Sequence, residues 1–426
     1  MQVLVTGATG LIGSALVARL YQEGHQPVAC VRTAARVPAA AKVVVVDFMT
    51  ATFEDWIEHL SDIDAVVNCV GVLQDSAHDS VSAAHVEGPS RLFAACEKAG
   101  VRRVIHFSAM GVDRQTPSSF SRTKRAGDDD LATRELDWVI LRPSVVVGRA
   151  AYGGSALFRG LAALPILPAM PSTGSLQIVQ LDQVIDSVLL FLRPEAPARL
   201  AVEIAGPDRL SLIETVRAFR DWLGGAPQRI VALPNWLSTL TYRAGDFAGW
   251  LGWRPPVRST AQAEITRGAT GDSRPWGKLT GITPTSLVDA LKANPASVQE
   301  RWFANLYLLK PLVFGVLSVF WIGTGLIALG PGWEVGMGYL RAGGAGDIGP
   351  AAIVAGSLAD IAIGVGIAFR RTARLALYAA IAISLTYALI GTVLVPQLWA
   401  DPLGPMLKIW PIIVLIMVAL AIRGDR

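Results

Sequence analysis

Four long apolar stretches near the C-terminus constrain the fold of this chain more than any other feature. They lie at 312–329, 351–369, 375–395 and 403–422, and each is close to the ~20 residues that a helix needs to cross a bilayer. Hydrophobic residues make up 52% of the 426 residues, and the mean hydropathy is +0.43, which a soluble protein has difficulty burying completely. A large soluble helical bundle is the alternative. The pattern predicts a four-helix transmembrane bundle over 311–426, preceded by a linker over 296–310.

Basic residues flank these stretches unevenly. The loops on one side carry only Arg341, with Lys408 close to the start of the fourth stretch. The other side carries the remaining basic residues, namely Lys310, Arg370, Arg371, Arg374, Arg423 and Arg426. Because basic loops stay in the cytoplasm, both the N-terminal region and the C-terminus are predicted to be cytoplasmic. The opening residues MQVLVTGATG show no secretory signal, which agrees with that orientation.

The N-terminal part of the chain alternates short β-branched runs with helical stretches. Six runs are predicted to be buried strands: QVLVTG, QPVACV, KVVVVD, AVVNCV, RRVIHFS and DWVILRPS. Helices between them imply a parallel sheet. Residues 150–295 are less regular and predict a smaller mixed lobe, in which Asp182 and Ser211 are expected to be helix N-caps. The predicted fold class is α/β, a Rossmann doubly wound parallel sheet with a small mixed α/β lobe, followed by the transmembrane bundle.

A glycine motif joins the first predicted strand to the first helix. The sequence is TGATGLIG, with Gly7, Gly10 and Gly13. Gly7 permits a tight turn, Gly10 allows the backbone to approach a pyrophosphate, and Gly13 lets the helix and strand pack closely. The N-terminus of the helix then faces the phosphates. The motif in this context predicts a dinucleotide-binding site.

The residues after the second and third strands bear on which dinucleotide binds. An NAD-binding domain places a carboxylate after the second strand, whereas this chain has VRTAAR, with Arg32 and Arg36. Arg32 would hold a 2′-phosphate, so NADP(H) is predicted to be preferred and NAD(H) remains possible. A solvated arginine is the alternative. Asp47 would accept a hydrogen bond from the adenine amino group, or else cap the next helix.

Longer segments of the sequence resemble known families. The glycine motif, NCVG at 68–71, HVEGPSRLFAACEKAGVRRVIHFSAMG and LRPS together resemble the short-chain dehydrogenase/reductase superfamily. The continuation through LPILP, IVQLDQV, EIAGPDRLSL and GITPTSLVDAL is most similar to the atypical branch that contains the NADPH-binding accessory subunit of respiratory complex I. This resemblance covers about 1–295. The C-terminal part, with DPLGPMLKIWP, resembles a DoxX-like membrane domain, and the fusion implies a multi-pass protein of the bacterial inner membrane.

The resemblance implies roles for individual residues. It assigns positions around the cofactor as follows: Gly7, Thr9, Gly10, Leu11, Ile12 and Gly13 at the pyrophosphate turn, Arg32 at the adenosine phosphate, Asp47 at the adenine, Val70 and Gly71 at the ribose, and Ser108 beside the nicotinamide.

One residue departs from the superfamily's catalytic pattern. Reductases of this type use a tyrosine four residues before a lysine, the phenol donating a proton and the lysine lowering its pKa. In FSRTK, Lys124 follows Phe120, which has no hydroxyl. Two hypotheses stay open: Lys124 acts with Ser108 as the polar catalytic pair, or Lys124 only binds the ribose and NADP(H) is a structural or sensing ligand. Tyr152 is a substitute only if the fold returns it to the site.

These observations support two functions. The first is a membrane-anchored NADP(H)-dependent oxidoreductase acting on a lipophilic carbonyl, enone or quinone. The alternative is a non-catalytic NADPH-binding module that supports or senses a respiratory or quinone-synthesising membrane complex. The lipid bilayer is the predicted partner. The basic residues form no stripe, so nucleic acid is not expected, and the five dispersed histidines predict no metal site.

Two further features have open interpretations. Asp360 lies in the middle of the second apolar stretch, where a carboxylate marks a functional site or a hydrogen bond between helices, with Ser384, Thr386 or Tyr387 as partner. The aromatic segment that contains Trp236, Trp250 and Trp253 either rests on the bilayer surface or packs in the core of the smaller lobe.

Overall fold

The computed structural model describes residues 1–33, 41–76 and 79–424, so Arg36 and Arg426 lie outside the described residues. Contacts divide the chain into two compact units. The first contains Met1–Asp246 and Pro255–Ala304, and the second contains Phe247–Arg254 and Asn305–Arg426. The short segment Phe247–Arg254 therefore packs with the C-terminal helices, although it lies within the N-terminal part of the sequence.

The first unit is built on a parallel sheet of seven strands. The strands of the unit are β1 Gln2–Thr6, β2 Gln26–Val31, β3 Lys42–Val45, β4 Ala65–Asn68, β5 Arg103–Phe107, β6 Asp137–Pro143, β7 Val145–Val147, β8 Ile166–Ala169, β9 Ile178–Gln180, β10 Leu200–Ile204 and β11 Arg229–Ala232. The large sheet has the order β10-β6-β5-β4-β1-β2-β3, while β7 pairs with β9 and β8 pairs with β11. The six predicted strands and their parallel arrangement are confirmed. The seventh strand, β10, was not predicted.

Helices cover the sheet and form the smaller lobe. They are α1 Leu11–Gln22, α2 Phe53–His59, a π-helical turn Ala83–Glu87, α3 Gly88–Ala99, α4 Ser119–Ala132, α5 Gly153–Ala163, α6 Leu181–Phe191, α7 Leu212–Trp222, α8 Asn235–Trp250, α9 Ser259–Arg267, α10 Arg274–Thr280, α11 Leu287–Ala293 and α12 Val298–Tyr307. Helix α12 occupies most of the predicted linker.

The two predicted N-caps have different outcomes. Ser211 caps α7, its hydroxyl accepting from the backbone N–H of Glu214 at 3.2 Å, which confirms the prediction. The prediction for Asp182 is wrong, because α6 begins at Leu181 with Gln180 at the N-cap. Asp182 lies in the first turn, where a carboxylate still interacts favourably with the positive end of the helix dipole.

Side chains alternate between two cores along each central strand. Val3 and Val5 of β1 pack in one core with residues of α1 and α6, whereas Leu4 packs in the other with residues of α2 and α3. Successive strand residues face opposite sides of a sheet. Because both faces are covered by helices, the central strands must be apolar throughout, which explains their continuous β-branched runs.

The second unit is helical. Its elements are α13 Leu309–Leu329, α14 Trp333–Ala342, α15 Gly349–Ala368, α16 Ala373–Leu394, a 3-10 turn Pro396–Trp399 and α17 Ile409–Ile422. Helices α13, α15 and α16 are long and apolar enough to cross a membrane, whereas α17 has 14 residues. At 1.5 Å per residue it extends ~21 Å, less than the ~30 Å of a bilayer core. The predicted fourth span is therefore not confirmed; Gly404, with φ of 59°, and the adjoining Pro405 precede the late start of α17.

Helices α13 and α15 approach each other closely. The Ser318 hydroxyl donates to the Gly364 carbonyl at 2.8 Å. A side chain at Gly364 would bring its Cβ within 2.7 Å of the backbone nitrogen of Ile322. Small residues that permit such backbone contact are the usual means of helix association in a membrane.

Asp360 makes a hydrogen bond between helices. Its Oδ1 accepts from the Tyr387 hydroxyl on α16 at 3.0 Å. The other two predicted candidates bond within their own helix, Ser384 to the Ala380 carbonyl and Thr386 to the Ala382 carbonyl. Of the three predicted candidates, Tyr387 is therefore the one that bonds to Asp360, whose carboxyl also interacts with Thr324 of α13.

Candidate functional site

The glycine turn directly follows β1. Its backbone conformation and its close contacts leave no room for side chains. Gly7 has φ of +65°, a left-handed conformation that favours glycine. Its carbonyl accepts from the Gly10 N–H at 2.8 Å, which closes the turn. A Cβ at Gly7 would lie 2.9 Å from the carbonyl carbon of Cys69. The turn is therefore pressed against the segment that follows β4.

The N-terminus of α1 stands over this turn. Gly10 is its N-cap, and Leu11 and Ile12 begin the helix. A Cβ at Gly13 would overlap the Gly7 carbonyl oxygen, so only glycine allows the helix to pack so near. The first N–H groups of a helix have no acceptor within it and attract an anion. The close approach of turn and helix fits a dinucleotide pyrophosphate.

Asn68 ties together the ends of the three central strands. Its Oδ1 accepts from the Thr6 hydroxyl at 2.7 Å and from the Val70 N–H at 3.1 Å. Its Nδ2 is then the donor to His106 Nδ1, 3.1 Å away. His106 must carry its proton on Nε2, which faces Asp128 Oδ1 at 3.7 Å, and burial holds the pKa of His106 well below its usual range. A neutral network thus fixes the backbone where Val70 and Gly71 follow β4.

Lys124 reaches the same edge of the sheet from α4. It is 4% exposed, and its Nζ donates to the Phe107 carbonyl at 2.7 Å and to the Val70 carbonyl at 3.2 Å. Burial lowers the pKa of Lys124 to about 8. Gly71 leaves space beside the ammonium, since a Cβ there would lie 3.7 Å from Nζ. Parallel sheets bind ligands at the carboxyl ends of their strands, which is where Nζ lies.

Ser108 and Asp128 lie close to the lysine. Ser108 follows β5, and its buried hydroxyl has no hydrogen bond of ordinary geometry among the described residues. Asp128 is one turn after Lys124 on α4 and accepts from Arg142 Nε at 3.0 Å. Burial raises the pKa of Asp128, while Ser108 and Arg142 oppose that rise. Asp128 and Arg142 were not predicted, although the spacing of Lys124 and Asp128 and the arginine of LRPS were signals.

Phe120 lies in an apolar contact at the position of the usual tyrosine. Its ring meets the His85 ring edge to face, with centroids 5.4 Å apart. His85 Nε2 accepts from the Val72 N–H at 3.0 Å, so its Nδ1 carries the proton towards the Thr123 hydroxyl at 2.8 Å. Both imidazole nitrogens are engaged, and burial lowers the pKa of His85 far below its usual range. Neither nitrogen of His85 is therefore free to donate a proton in this corner of the site. Tyr152, the possible substitute, is the N-cap of α5, and its side chain is exposed.

Arg32 follows β2 directly, as the sequence predicts. Its Nη1 lies 2.8 Å from Asp79 Oδ1, in an ion pair whose carboxylate is buried and whose guanidinium is partly exposed. Asp79 was not predicted. The carboxylate balances part of the positive charge that a 2′-phosphate would meet.

Asp47 closes a turn after β3. Its Oδ1 accepts from the Met49 N–H at 3.1 Å. The expectation that it caps the next helix is wrong, because Thr52 caps α2 and accepts from the Asp55 N–H at 3.2 Å. Its role toward the adenine stays a prediction.

Comparisons with known proteins agree with this geometry. Residues 7–158 match the NAD(P)H-binding family model, and residues 318–417 match the DoxX-like family. The chain is 23% identical over 237 residues to a ceramide reductase of Caulobacter vibrioides, a match that covers 55% of this chain and 74% of the relative. It is 28% identical over 150 residues to the NADH-ubiquinone oxidoreductase 40 kDa subunit of Neurospora crassa, which covers 34% of this chain and 40% of that subunit.

The fold also matches solved structures. A UDP-glucuronic acid 4-epimerase from Bacillus cereus, in complex with UDP-glucuronic acid and NAD, aligns with a TM-score of 0.54 at 18% identity, covering 72% of this chain and 100% of the epimerase. The chain thus contains an NAD(P)H-binding, Rossmann-like domain that is similar to short-chain dehydrogenases/reductases, and a C-terminal, membrane-associated DoxX-like domain. The predicted resemblances to that superfamily and to a DoxX-like domain are confirmed, whereas placement in the atypical branch stays a prediction.

Proposed function

We propose that this protein is a membrane-anchored reductase that uses NAD(P)H, with NADP(H) preferred, to reduce a lipophilic carbonyl compound or quinone. The observation that carries the proposal is the position of Lys124. Its ammonium group is buried at the carboxyl ends of β4 and β5, and its pKa is lowered to about 8. An acid of this strength can give up a proton near neutral pH.

The hydrogen bonds of Lys124 leave it able to act on a substrate. NAD(P)H supplies a hydride when it is bound. An ammonium has three N–H donors, of which two are directed to the carbonyls of Val70 and Phe107. The third donates to the substrate oxygen and delivers the proton as negative charge develops there. The Ser108 hydroxyl, which follows β5 and also faces Asp128, donates to the same oxygen.

Two observations support a lipophilic substrate. The DoxX-like domain and its apolar helices associate this site with a membrane. The matched relative from Caulobacter vibrioides is a reductase of ceramide, which is a lipid. A substrate dissolved in the bilayer reaches a membrane-anchored reductase without crossing water.

The charge bias of the apolar region supports an orientation. Lys310 and Arg423 lie at the ends of α13 and α17, and Lys310 Nζ donates to the Arg423 carbonyl at 3.3 Å. Arg370, Arg371 and Arg374 flank the turn between α15 and α16. By the positive-inside rule these ends face the cytoplasm of a bacterial inner membrane, with the nucleotide domain and the C-terminus on the same side.

A second function is favoured by the packing of Phe120. An apolar ring occupies the place of the proton donor, and the adjoining His85 is neutral with both nitrogens engaged. One matched relative is a subunit of NADH-ubiquinone oxidoreductase. The alternative is therefore a non-catalytic NADPH-binding module that supports or senses a respiratory or quinone-synthesising membrane complex.

Substitution of Lys124 by methionine separates the two functions. The detergent-purified full chain is assayed for NADPH oxidation with a long-chain ketone, a long-chain enone and a short-chain ubiquinone analogue. A catalytic Lys124 requires that wild type oxidises NADPH with at least one of them and that Lys124→Met loses most of that rate while NADPH still binds. Lys98→Met, on an exposed turn of α3, is the control. Wild type that binds NADPH and oxidises it with no probe supports the module.

A further inference from the structure

Helix α8 exposes a continuous apolar face. Four large side chains on it are mostly exposed: Trp236 at 68%, Leu240 at 55%, Phe247 at 61% and Trp250 at 65%. An exposed patch of this size and aromatic content marks an interaction surface. The core-packing interpretation of this segment is wrong for Trp236 and Trp250.

The spacing of these residues places them on one side of the helix. Successive positions 236, 240, 243, 247 and 250 are separated by four, three, four and three residues, the repeat that follows a single helix face. The middle position is Arg243, which is also exposed. The opposite side is buried at Ser238, Tyr242 and Gly245. The large apolar side chains of this helix, including two tryptophans, thus lie on its exposed face instead of its buried face.

The C-terminal end of this face is joined to the ends of the apolar helices. The Trp250 ring meets the Phe369 ring at 5.7 Å, and the Phe247 and Trp250 rings stack at 5.8 Å. Phe369 directly follows α15. All of these residues belong to the second unit. The C-terminal end of the aromatic face therefore lies beside the end of α15, one of the helices long and apolar enough to cross a membrane.

The segment that follows α8 anchors this end. The Leu251 carbonyl accepts from the Arg370 N–H at 3.1 Å. The Trp253 indole donates to the Ala368 carbonyl at 2.8 Å, and its ring lies 4.7 Å from the Phe314 ring. These bonds satisfy backbone groups at the end of α15 and hold the C-terminal end of α8 beside it.

Charge identifies the lipid that fits this surface. Arg243 lies within the face. Arg370 and Arg371 occupy the turn to which the end of α8 is bonded, and Arg374 lies in the first turn of α16. Tryptophan and phenylalanine beside basic residues are typical of helices that lie at the surface of anionic membranes. We propose that the exposed face of α8, formed by Trp236, Leu240, Arg243, Phe247 and Trp250, docks on the anionic headgroup layer of a membrane.

Spin labelling of the full chain in vesicles tests this docking. Leu240→Cys and Phe247→Cys are labelled separately, reconstituted in phosphatidylethanolamine and phosphatidylglycerol, and probed for collision with oxygen and with a water-soluble nickel chelate. Val319→Cys, on an exposed position of α13, is the lipid reference, and Tyr21→Cys, on an exposed position of α1, is the aqueous reference. The unsubstituted chain measures background labelling of its three cysteines.

If the face docks, the ratio of label collisions with oxygen to collisions with the nickel chelate is expected to be several-fold higher at both positions than at Tyr21→Cys. A ratio equal to that of Tyr21→Cys overturns the proposal, because the face is then in water. Labels that collide with neither reagent also overturn it, since a second copy of the chain then covers the face. Quenching of tryptophan fluorescence by brominated lipid is a second measurement, which does not depend on the cysteine variants. Wild type should lose more emission than Trp236→Phe. Equal losses contradict the docking of Trp236.

Discussion

At the scale of single residues, some groups of the site can be identified from the sequence, whereas others are recognised only when the fold brings distant residues together. Gly7, Gly10, Gly13 and Lys124 lie where the motifs predict, because each is set by its own strand, turn or helix. Asn68 and His106 were not predicted as a bonded pair, since 38 residues separate them. Asp79 was missed for the same reason, because it is 47 residues from Arg32. Local patterns carry no signal for such pairs.

The acidity of Lys124 predicts a pH dependence. If its protonated form donates to the substrate, the rate is constant below the lysine pKa and falls as pH rises through about 8. Lys124→Arg keeps the charge but has a pKa above ~12, so any activity that it retains should lose the alkaline decline. The measurement is kcat for NADPH oxidation against pH. A wild-type profile without a break near 8 contradicts a role for Lys124 as the acid.

The ion pair of Arg32 and Asp79 predicts a change in cofactor preference. In Asp79→Asn the guanidinium keeps a hydrogen-bond partner but loses the opposing carboxylate, so NADPH should bind about fivefold more tightly, a gain of ~1 kcal/mol. NADH, which lacks the 2′-phosphate, should bind as before. Titration of nucleotide fluorescence measures both affinities. Arg32→Ala is the matched variant and should weaken NADPH selectively; equal effects on both nucleotides would show that the pair does not contact the phosphate.

At the scale of elements, prediction succeeds where one segment determines its own structure. The strands of the central sheet are apolar on both faces, so their β-branched runs stand out from the sequence. Strand β10 reads LAVEI, with Glu203 inside it, and it is recognisable only through its parallel pairing with β6. Helix α17 was predicted to be longer because its upstream residues are apolar, but the backbone turn at Gly404 precedes a later start.

The bond between α15 and α16 predicts a structural role for Asp360. Hydrogen bonds between membrane helices contribute ~0.6–1.7 kcal/mol, so Asp360→Val and Tyr387→Phe should each lower the melting temperature in detergent. Asp360→Val also removes the contact with Thr324, so the double variant should lose little more than Asp360→Val alone, because Tyr387→Phe then removes a bond that is already lost. Asp360→Asn can still accept from Tyr387 and should melt like wild type. Asp360→Asn that is stable yet inactive would instead assign a functional role to the carboxyl.

At the scale of the whole molecule, the number of membrane crossings decides where the C-terminus lies. With α13, α15 and α16 alone crossing, the C-terminus is on the side opposite to the start of α13. Four crossings, as the positive-inside rule favours, return it to the cytoplasm. Green fluorescent protein fused after Arg426 should therefore fluoresce, and alkaline phosphatase at the same place should be inactive. The reverse pair of results would establish three crossings.

The set of chain segments that form the second unit could not be predicted from local sequence. Trp253 bonds to Ala368, which lies 115 residues further along the chain, and no motif links the two. Segment Phe247–Arg254 therefore belongs to the second unit, although the predicted boundary at 295 assigns it to the first. The two large domains themselves were recognised by composition and motif.

This arrangement limits how the gene can be divided. Because Phe247–Arg254 precedes Pro255–Ala304 in sequence but packs with the later helices, no single break in the coding sequence yields two fragments that each contain a whole unit. If the chain is cut between the Rossmann part and the DoxX-like part, Trp253 stays on the Rossmann fragment. The Ala368 carbonyl, on the other fragment, then loses the indole N–H that donates to it. The two units are thus interleaved along the chain, and the DoxX-like part expressed alone lacks the contacts that this eight-residue segment makes.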